Sequence, residues 1–300
     1  MSFYLYLPDI VKHNIMIMKR FLKPIIAAVM YPLSQLIIGV IMVIVMLAAS
    51  VDGSVNANDL ADYTMPLTLA ATLGSGLFAA LFAWRPLKMY TFANEYQPAG
   101  LKPYIAILII PAVFLGIFAL DLIQSYLDLP NLIEDVMKSA SLSAFGFIVI
   151  SLLGPIFEEL IFRSGALGYM LRKGVDGKVA VVVSALLFGL IHINPAQIFV
   201  ATFIGVVLGV IYYKTRNVIL TTIIHVINNT IACLGMIYLP EEQDDELLHE
   251  IIGIAPTVFI IVAGIAICAF ALARMPKTEK AKTADNQLIA NENTTEDGTN

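Results

Sequence analysis

Gly154-Pro155-Ile156-Phe157-Glu158-Glu159-Leu160-Ile161-Phe162-Arg163 sets two adjacent carboxylates and a guanidinium inside a run that otherwise reads as lipid-soluble. An ionisable group within a spanning helix costs roughly 2.5–3.5 kcal/mol even on the gentlest insertion scale. Three such groups within six residues need one another, a cavity, or a chemical task. Downstream, two more apolar runs carry polar groups: His192 in Phe188-Gly-Leu-Ile-His192, and His225 with Asn229 in His225-Val-Ile-Asn-Asn229. The spacing of these three sites predicts that they meet inside a membrane.

Composition supports the membrane. The chain is 59% hydrophobic and 14% charged, against about a quarter charged in soluble domains, and its mean hydropathy is +0.83. The formal charge of −5 says little, because the two signs are segregated along the chain. The lipid bilayer is the expected surroundings, and nucleic acid is not an expected partner. Cys233 and Cys268 fall in apolar spans and read as small core residues, with neither a disulfide nor a zinc–thiolate site implied. Residues 1–23 lack a short apolar core followed by a small-residue cleavage site. They read as an interfacial amphipathic segment, with His13 on its solvated face.

Apolar stretches of about 20 residues fall at 24–49, 66–84, 104–123, 142–163, 179–193, 196–213, 217–238 and 254–273. The predicted fold is an all-α polytopic membrane helical bundle of about eight transmembrane helices. It divides into an N-terminal segment (1–23), three helices and their loops (24–140), a core of four helices (141–239), an acidic loop with the last helix (240–275) and a disordered tail (276–300). Lys12, Lys19, Arg20 and Lys23 precede the first span, and Asp52, Asp59 and Asp62 follow it. Arg85, Lys88 and Lys102, then Arg172, Lys173 and Lys178, then Lys214 and Arg216, then Arg274, Lys277, Lys280 and Lys282 occupy every second connection. The intervening loops are acidic or nearly uncharged, so both termini are expected in the cytoplasm. The stretch 240–250, with His249, reads as a solvated outer loop.

Glu158 and Glu159 lie about 100° apart on a helix and cannot face one direction. Arg163 follows Glu159 by four residues, the favourable acid-before-base order. That pair can neutralise itself, which leaves Glu158 without a local cation, since position 162 is Phe. An unpaired carboxylate in a dry site can act as a base, although the two glutamates could exchange or share these roles. His225 and Asn229, also four apart, point to one face; Asn228 lies beside it and reads as a packing hydrogen-bonder. The turn near residue 175 lies 17 residues from both Glu158 and His192. At 1.5 Å per residue both sit roughly 25 Å along their helices from it, so they face each other at one level. Taken singly, each site has a bland reading: a packing histidine, or a structural ion pair. All three being inert together is the least economical reading, since each costs stability. Gly205 and Gly209 form a close-packing seam, and Pro111 and Pro155 are expected to kink their helices, Pro155 opening room beside Glu158.

At these residues the sequence resembles the CPBP family, the CAAX-protease and bacteriocin-processing intramembrane proteases. Its marks are Glu-Glu-x-x-x-Arg, Phe-x-x-x-His and His-x-x-x-Asn, which stand here in order over about residues 142–235. The resemblance implies a membrane-embedded endopeptidase acting on a membrane-embedded or lipidated peptide or protein; the compact chain and bare termini read as bacterial, which places it in a plasma membrane. The resemblance also implies that Glu158 activates water with help from His192. His225 and Asn229 would stabilise the oxyanion, and Glu159 and Arg163 would brace the site. Glu158, His192 and His225 could also hold Zn2+ with one position left for water. The soluble His-Glu-x-x-His signature is absent and Asn is a poor zinc ligand, so the metal is left open. Two other functions compete: a non-catalytic immunity or scaffold protein of the same fold, and a transporter with a midplane polar site. For the transporter the expected pair of repeated broken helices is not seen.

Overall fold

The computed structural model describes residues 9–51, 60–85, 87–89, 103–127, 129–238, 250, 252–279 and 281–286. Among them the chain is helical and forms no strand. In chain order the helices are α1 (Asp9–Val51), α2 (Leu60–Trp84), α3 (Pro103–Ser125), the short α4 (Glu134–Leu142), α5 (Ala144–Arg172), α6 (Gly177–Leu190), α7 (Pro195–Thr215), α8 (Val218–Tyr238) and α9 (Ile254–Arg274). Six helices are long and apolar enough to cross a membrane, and Leu69–Trp84 and Gly177–Leu190 are shorter apolar helices. Each of the eight expected stretches overlaps one of these helices, six of which reach spanning length, and the protein is a multi-pass membrane helical bundle.

The helices face outward with the residues lipid favours. Leu36, Val40, Val43, Ile44 and Leu47 on α1, and Phe259, Val262 and Phe270 on α9, are exposed. In water such a surface would be unstable; against hydrocarbon it needs no cover. α1 has 43 residues and so is about 64 Å long, twice the thickness of a bilayer core of about 30 Å. From Asp9 the segment expected to lie at the interface is the first part of α1, continuous with the span. Residues 1–8 of that segment lie outside the described residues, as does 240–249 of the acidic loop.

Close approach fixes the pairs. A Cβ on Gly205 would lie 2.9 Å from the Ala185 Cα, so α7 and α6 touch nearly backbone to backbone at the expected seam. On the far side of the bundle, a Cβ on Gly264 of α9 would lie 2.7 Å from the Leu115 carbonyl of α3. Around α5, residues Ala27, Ala79, Ala83, Ile161, Phe162 and Phe188 make one buried cluster that joins α1, α2, α5 and α6.

The loop residues gather at two ends. At one end, Lys23 donates to the Leu87 carbonyl at 2.8 Å, Arg172 donates to that of Met89, and Lys214 donates to Leu272 and Met275, each at 2.7 Å. At the other end, Asn194 donates to Asn131 at 2.8 Å and accepts from the Leu132 N–H at 2.9 Å. The basic connections that the charge pattern put on one side therefore meet on one side. Residues 276–279 and 281–286 depart from the expected disorder. Thr278 N–H donates to the Lys214 carbonyl, Asp285 receives Arg216 at 3.0 Å and Lys277 at 2.7 Å, and Ala281 is fully buried. Composition marked these residues as polar, but their charges have partners waiting on the end of α7. Residues 287–300 of the expected tail lie outside the described residues.

Gly205→Leu is expected to overpack the α6–α7 seam at a cost of about 1–3 kcal/mol. Thermal unfolding of the detergent-purified protein reads this as a lower midpoint. Gly39→Leu, where nothing lies within 4 Å of the added carbon, should leave the midpoint unchanged or higher.

Candidate active site

α5 is not a uniform helix. It passes through a π-helical turn at Val149–Leu153, six α-helical residues at Gly154–Glu159, and a second π-helical stretch at Leu160–Leu167. Such widened turns concentrate at functional sites. The first has a cause in the sequence. Gly154 N–H bonds to the Val149 carbonyl, five residues back. The next residue in that pattern is Pro155, which has no N–H to give. The Ile150 carbonyl is thereby left without its backbone donor, and the Asn229 carboxamide supplies one at 3.1 Å. Pro155 and Glu158 both line the cavity beside this π-turn, which α8 helps to hold through Asn229.

The short α-helical segment between the π-turns carries both glutamates. Glu159 is fully buried, and the Arg163 Nη1 lies 3.0 Å from its Oε1. The His225 Nδ1 lies 3.1 Å from the same oxygen, and its Nε2 lies 3.6 Å from the Glu158 Oε2. A carboxylate oxygen only accepts, so Nδ1 of His225 carries the proton. Glu159 therefore orients His225, as a buried carboxylate orients an imidazole in hydrolases. Glu158 keeps 13% of its side chain exposed, facing a cavity. The arrangement of the glutamates read from their spacing is present: one paired with Arg163, the other lacking a local cation.

Phe188 organises the rest. Its ring lies 4.4 Å under the Arg163 guanidinium, whose Nε and Nη2 find no hydrogen-bond partner. The ring face compensates for part of that deficit through a cation–π contact. The Phe188 ring also stands edge-on to His192 at 5.1 Å and to His225 at 5.6 Å. His192 was expected inside the fifth span, 179–193. It sits just past the end of α6, in a turn closed by its N–H on the Gly189 carbonyl. Its Nδ1 lies 2.9 Å from the Phe188 carbonyl. A carbonyl cannot donate, so Nδ1 bears the proton and the Nε2 lone pair is the ring's free acceptor.

Glu158, His192, His225, Asn228 and Asn229 all line one cavity of about 530 Å³. The three sites singled out in the sequence therefore converge. Tyr31 of α1 lines it as well and was missed: an aromatic in an apolar span gives no signal until α1 folds against α5. Phe188 was seen only as a motif letter, because its contact with Arg163 spans two helices. Glu158, His192 and His225 are the side chains that a zinc ion would need. Among the described residues no three His, Cys, Asp or Glu side chains gather to hold a metal ion. Both nitrogens of His225 face carboxylates. In this arrangement the proposed set does not fit a metal site, and no step is routed through one.

Fold and site together define a polytopic helical membrane protein with a carboxylate–imidazole centre in an internal cavity. Residues 140–231 match the family described as Type II CAAX prenyl endopeptidase Rce1-like. The resemblance to the CPBP family carried by the three motifs is borne out over this segment. The chain is 29% identical over 126 residues to a Bacillus subtilis protein named "Putative membrane peptidase YdiL", covering 40% of this chain and 49% of that one. It is 30% identical over 117 residues to "Membrane-embedded CAAX protease MroQ" of Staphylococcus aureus, covering 37% and 47% respectively. The matched region spans about half the length of these relatives. No solved structure matches the chain.

Removing one partner of a buried ion pair costs about 3–5 kcal/mol because the other charge is stranded. Arg163→Met should lower the thermal midpoint steeply. The double variant Glu159→Gln/Arg163→Met should recover most of the loss, since it strands no charge. An equal loss in both would show that packing on Phe188, and not charge, is what Arg163 contributes.

Proposed function

We propose that the protein is an intramembrane endopeptidase that hydrolyses a peptide bond of a membrane-associated peptide or protein. The observation that carries this reading is the convergence of Glu158, His192 and His225 on one cavity inside the matched segment. A bacterial plasma membrane is the proposed location; the two relatives are bacterial and are named as membrane proteins.

A water in the cavity is held by the Glu158 carboxylate and the Nε2 lone pair of His192. Glu158 takes one proton as the water oxygen bonds to the scissile carbonyl carbon. The carbonyl oxygen becomes an oxyanion, which needs donors already in place. Asn229 keeps one amide hydrogen beyond the one given to Ile150, and Asn228 keeps one beyond the one given to Asn229 at 3.3 Å. These two offer the oxyanion its donors. His225 faces carboxylates with both nitrogens, so its task here is to hold Glu158 in place. The intermediate collapses as Glu158 passes its proton to the leaving nitrogen and the C–N bond breaks. Water in equals one new carboxyl and one new amine out.

Membrane peptides from cells producing wild type and Glu158→Gln are compared by mass spectrometry, and a peptide cut only by wild type becomes the substrate for purified protein in liposomes. Glu158→Gln should reduce kcat/KM by about 10²–10⁴-fold, the usual worth of a general base, without lowering the thermal midpoint. Undiminished cleavage by Glu158→Gln removes the proposed base. If no peptide differs and the cellular phenotype survives the substitution, the non-catalytic reading stands instead.

A further inference from the structure

The cavity is not centred between the two ends of the bundle. From Glu158, His192 and His225 its lining runs to Gln124 at the end of α3, Asn131 in the following loop, Val136 and Met137 on α4, and Gln197 in the first turn of α7. All of these lie at the end where Asn194 ties the 130–132 loop to the start of α7. Among the described residues, no Lys or Arg lines the cavity. Arg20, Lys23, Arg172 and Lys214 are engaged at the opposite end, on the carbonyls of Gly174, Leu87, Met89 and Leu272. Arginine and lysine in short loops stay in the cytoplasm, so that basic end marks the cytoplasmic face.

We propose that the cavity opens to the extracytoplasmic face, so that the site takes a peptide segment presented from outside and not a lipidated tail offered from the cytoplasm. The inference rests on the protease reading only in calling the cavity a substrate site. Helix α4 borders the cavity at this end, with Val136 and Met137 on the lining and Glu134 and Asp135 exposed. Its nine residues are too few to span a bilayer, which suits a cover at the interface. The substrate enters as unwound chain. An intact helix keeps each peptide carbonyl in its own i→i+4 hydrogen bonds behind a sheath of side chains about 10–12 Å across, so the base reaches a scissile carbonyl only where the chain has unwound. Unwinding frees backbone N–H and C=O groups that lipid cannot satisfy. The neutral carboxamides of Gln124 and Gln197, each both donor and acceptor, line this end of the cavity and can meet them.

Accessibility tests this without any proteolysis, so its failure and that of the protease reading are separable. In a Cys233→Ser/Cys268→Ala background, single cysteines are placed at Gln197 or Val136 on the opening and at Lys173 on the basic end. Intact cells are treated with a membrane-impermeant maleimide, before and after permeabilisation. Gln197→Cys and Val136→Cys should label in intact cells, and Lys173→Cys only after permeabilisation. The Val136 position is half-exposed on the cover and serves if Gln197→Cys does not accumulate. Labelling of both opening positions only after permeabilisation, or of Lys173→Cys from outside, overturns the proposal.

Discussion

The buried Glu159 carboxylate is the constraint on which the site depends. Fully removed from water and lipid, it cannot be tolerated as a lone charge. It brings in Arg163 from one turn along its own helix and His225 from a helix more than sixty residues away. Such a pair contributes little net stability, because desolvation offsets attraction. Its contribution is placement. With Nδ1 of His225 committed to Glu159, the other ring nitrogen must face Glu158, and the Arg163 plane must find the Phe188 ring. Phe188 in turn borders both imidazoles. Three helices are thus registered to one another by a single charge that has nowhere else to go.

The same logic explains why α5 is irregular where a membrane helix would be expected to be most regular. In lipid every backbone carbonyl needs a donor. Pro155 withdraws one next to Glu158, and the chain answers with a π-turn and with Asn229 on the Ile150 carbonyl. The cavity adjoins this widened turn, and α8 supplies the donor that the turn lacks. Asn229 therefore belongs to the scaffold as well as to the chemistry proposed for it.

Much of this was legible in the sequence. The bilayer imposes a length and a polarity, so the eight apolar stretches and the segregated basic loops could be read directly. The acid–base order at Glu159 and Arg163 follows from helical geometry alone. What the sequence could not show lies between helices. Tyr31 sits in an ordinary apolar span, and only the packing of α1 on α5 brings it to the cavity. His192 was assigned to a helix that ends two residues earlier, and Ile193 with φ +58° turns the chain there. The described start of the tail, 276–279 and 281–286, is held to the bundle because Arg216 and Tyr213 await it, which polar composition does not reveal.

The central claim is that a water lodged against Glu158 supplies the oxygen that ends the peptide. It is tested most directly by a single turnover of purified wild-type protein in water enriched in oxygen-18, using a peptide cut by wild type. The account predicts one heavy oxygen in the new carboxyl group of the first product formed, and no labelled or modified Glu158. A first product whose new carboxyl oxygen is light, with the heavy oxygen appearing in the Glu158 side chain, would mean that the carboxylate attacked the peptide itself, and would contradict the account.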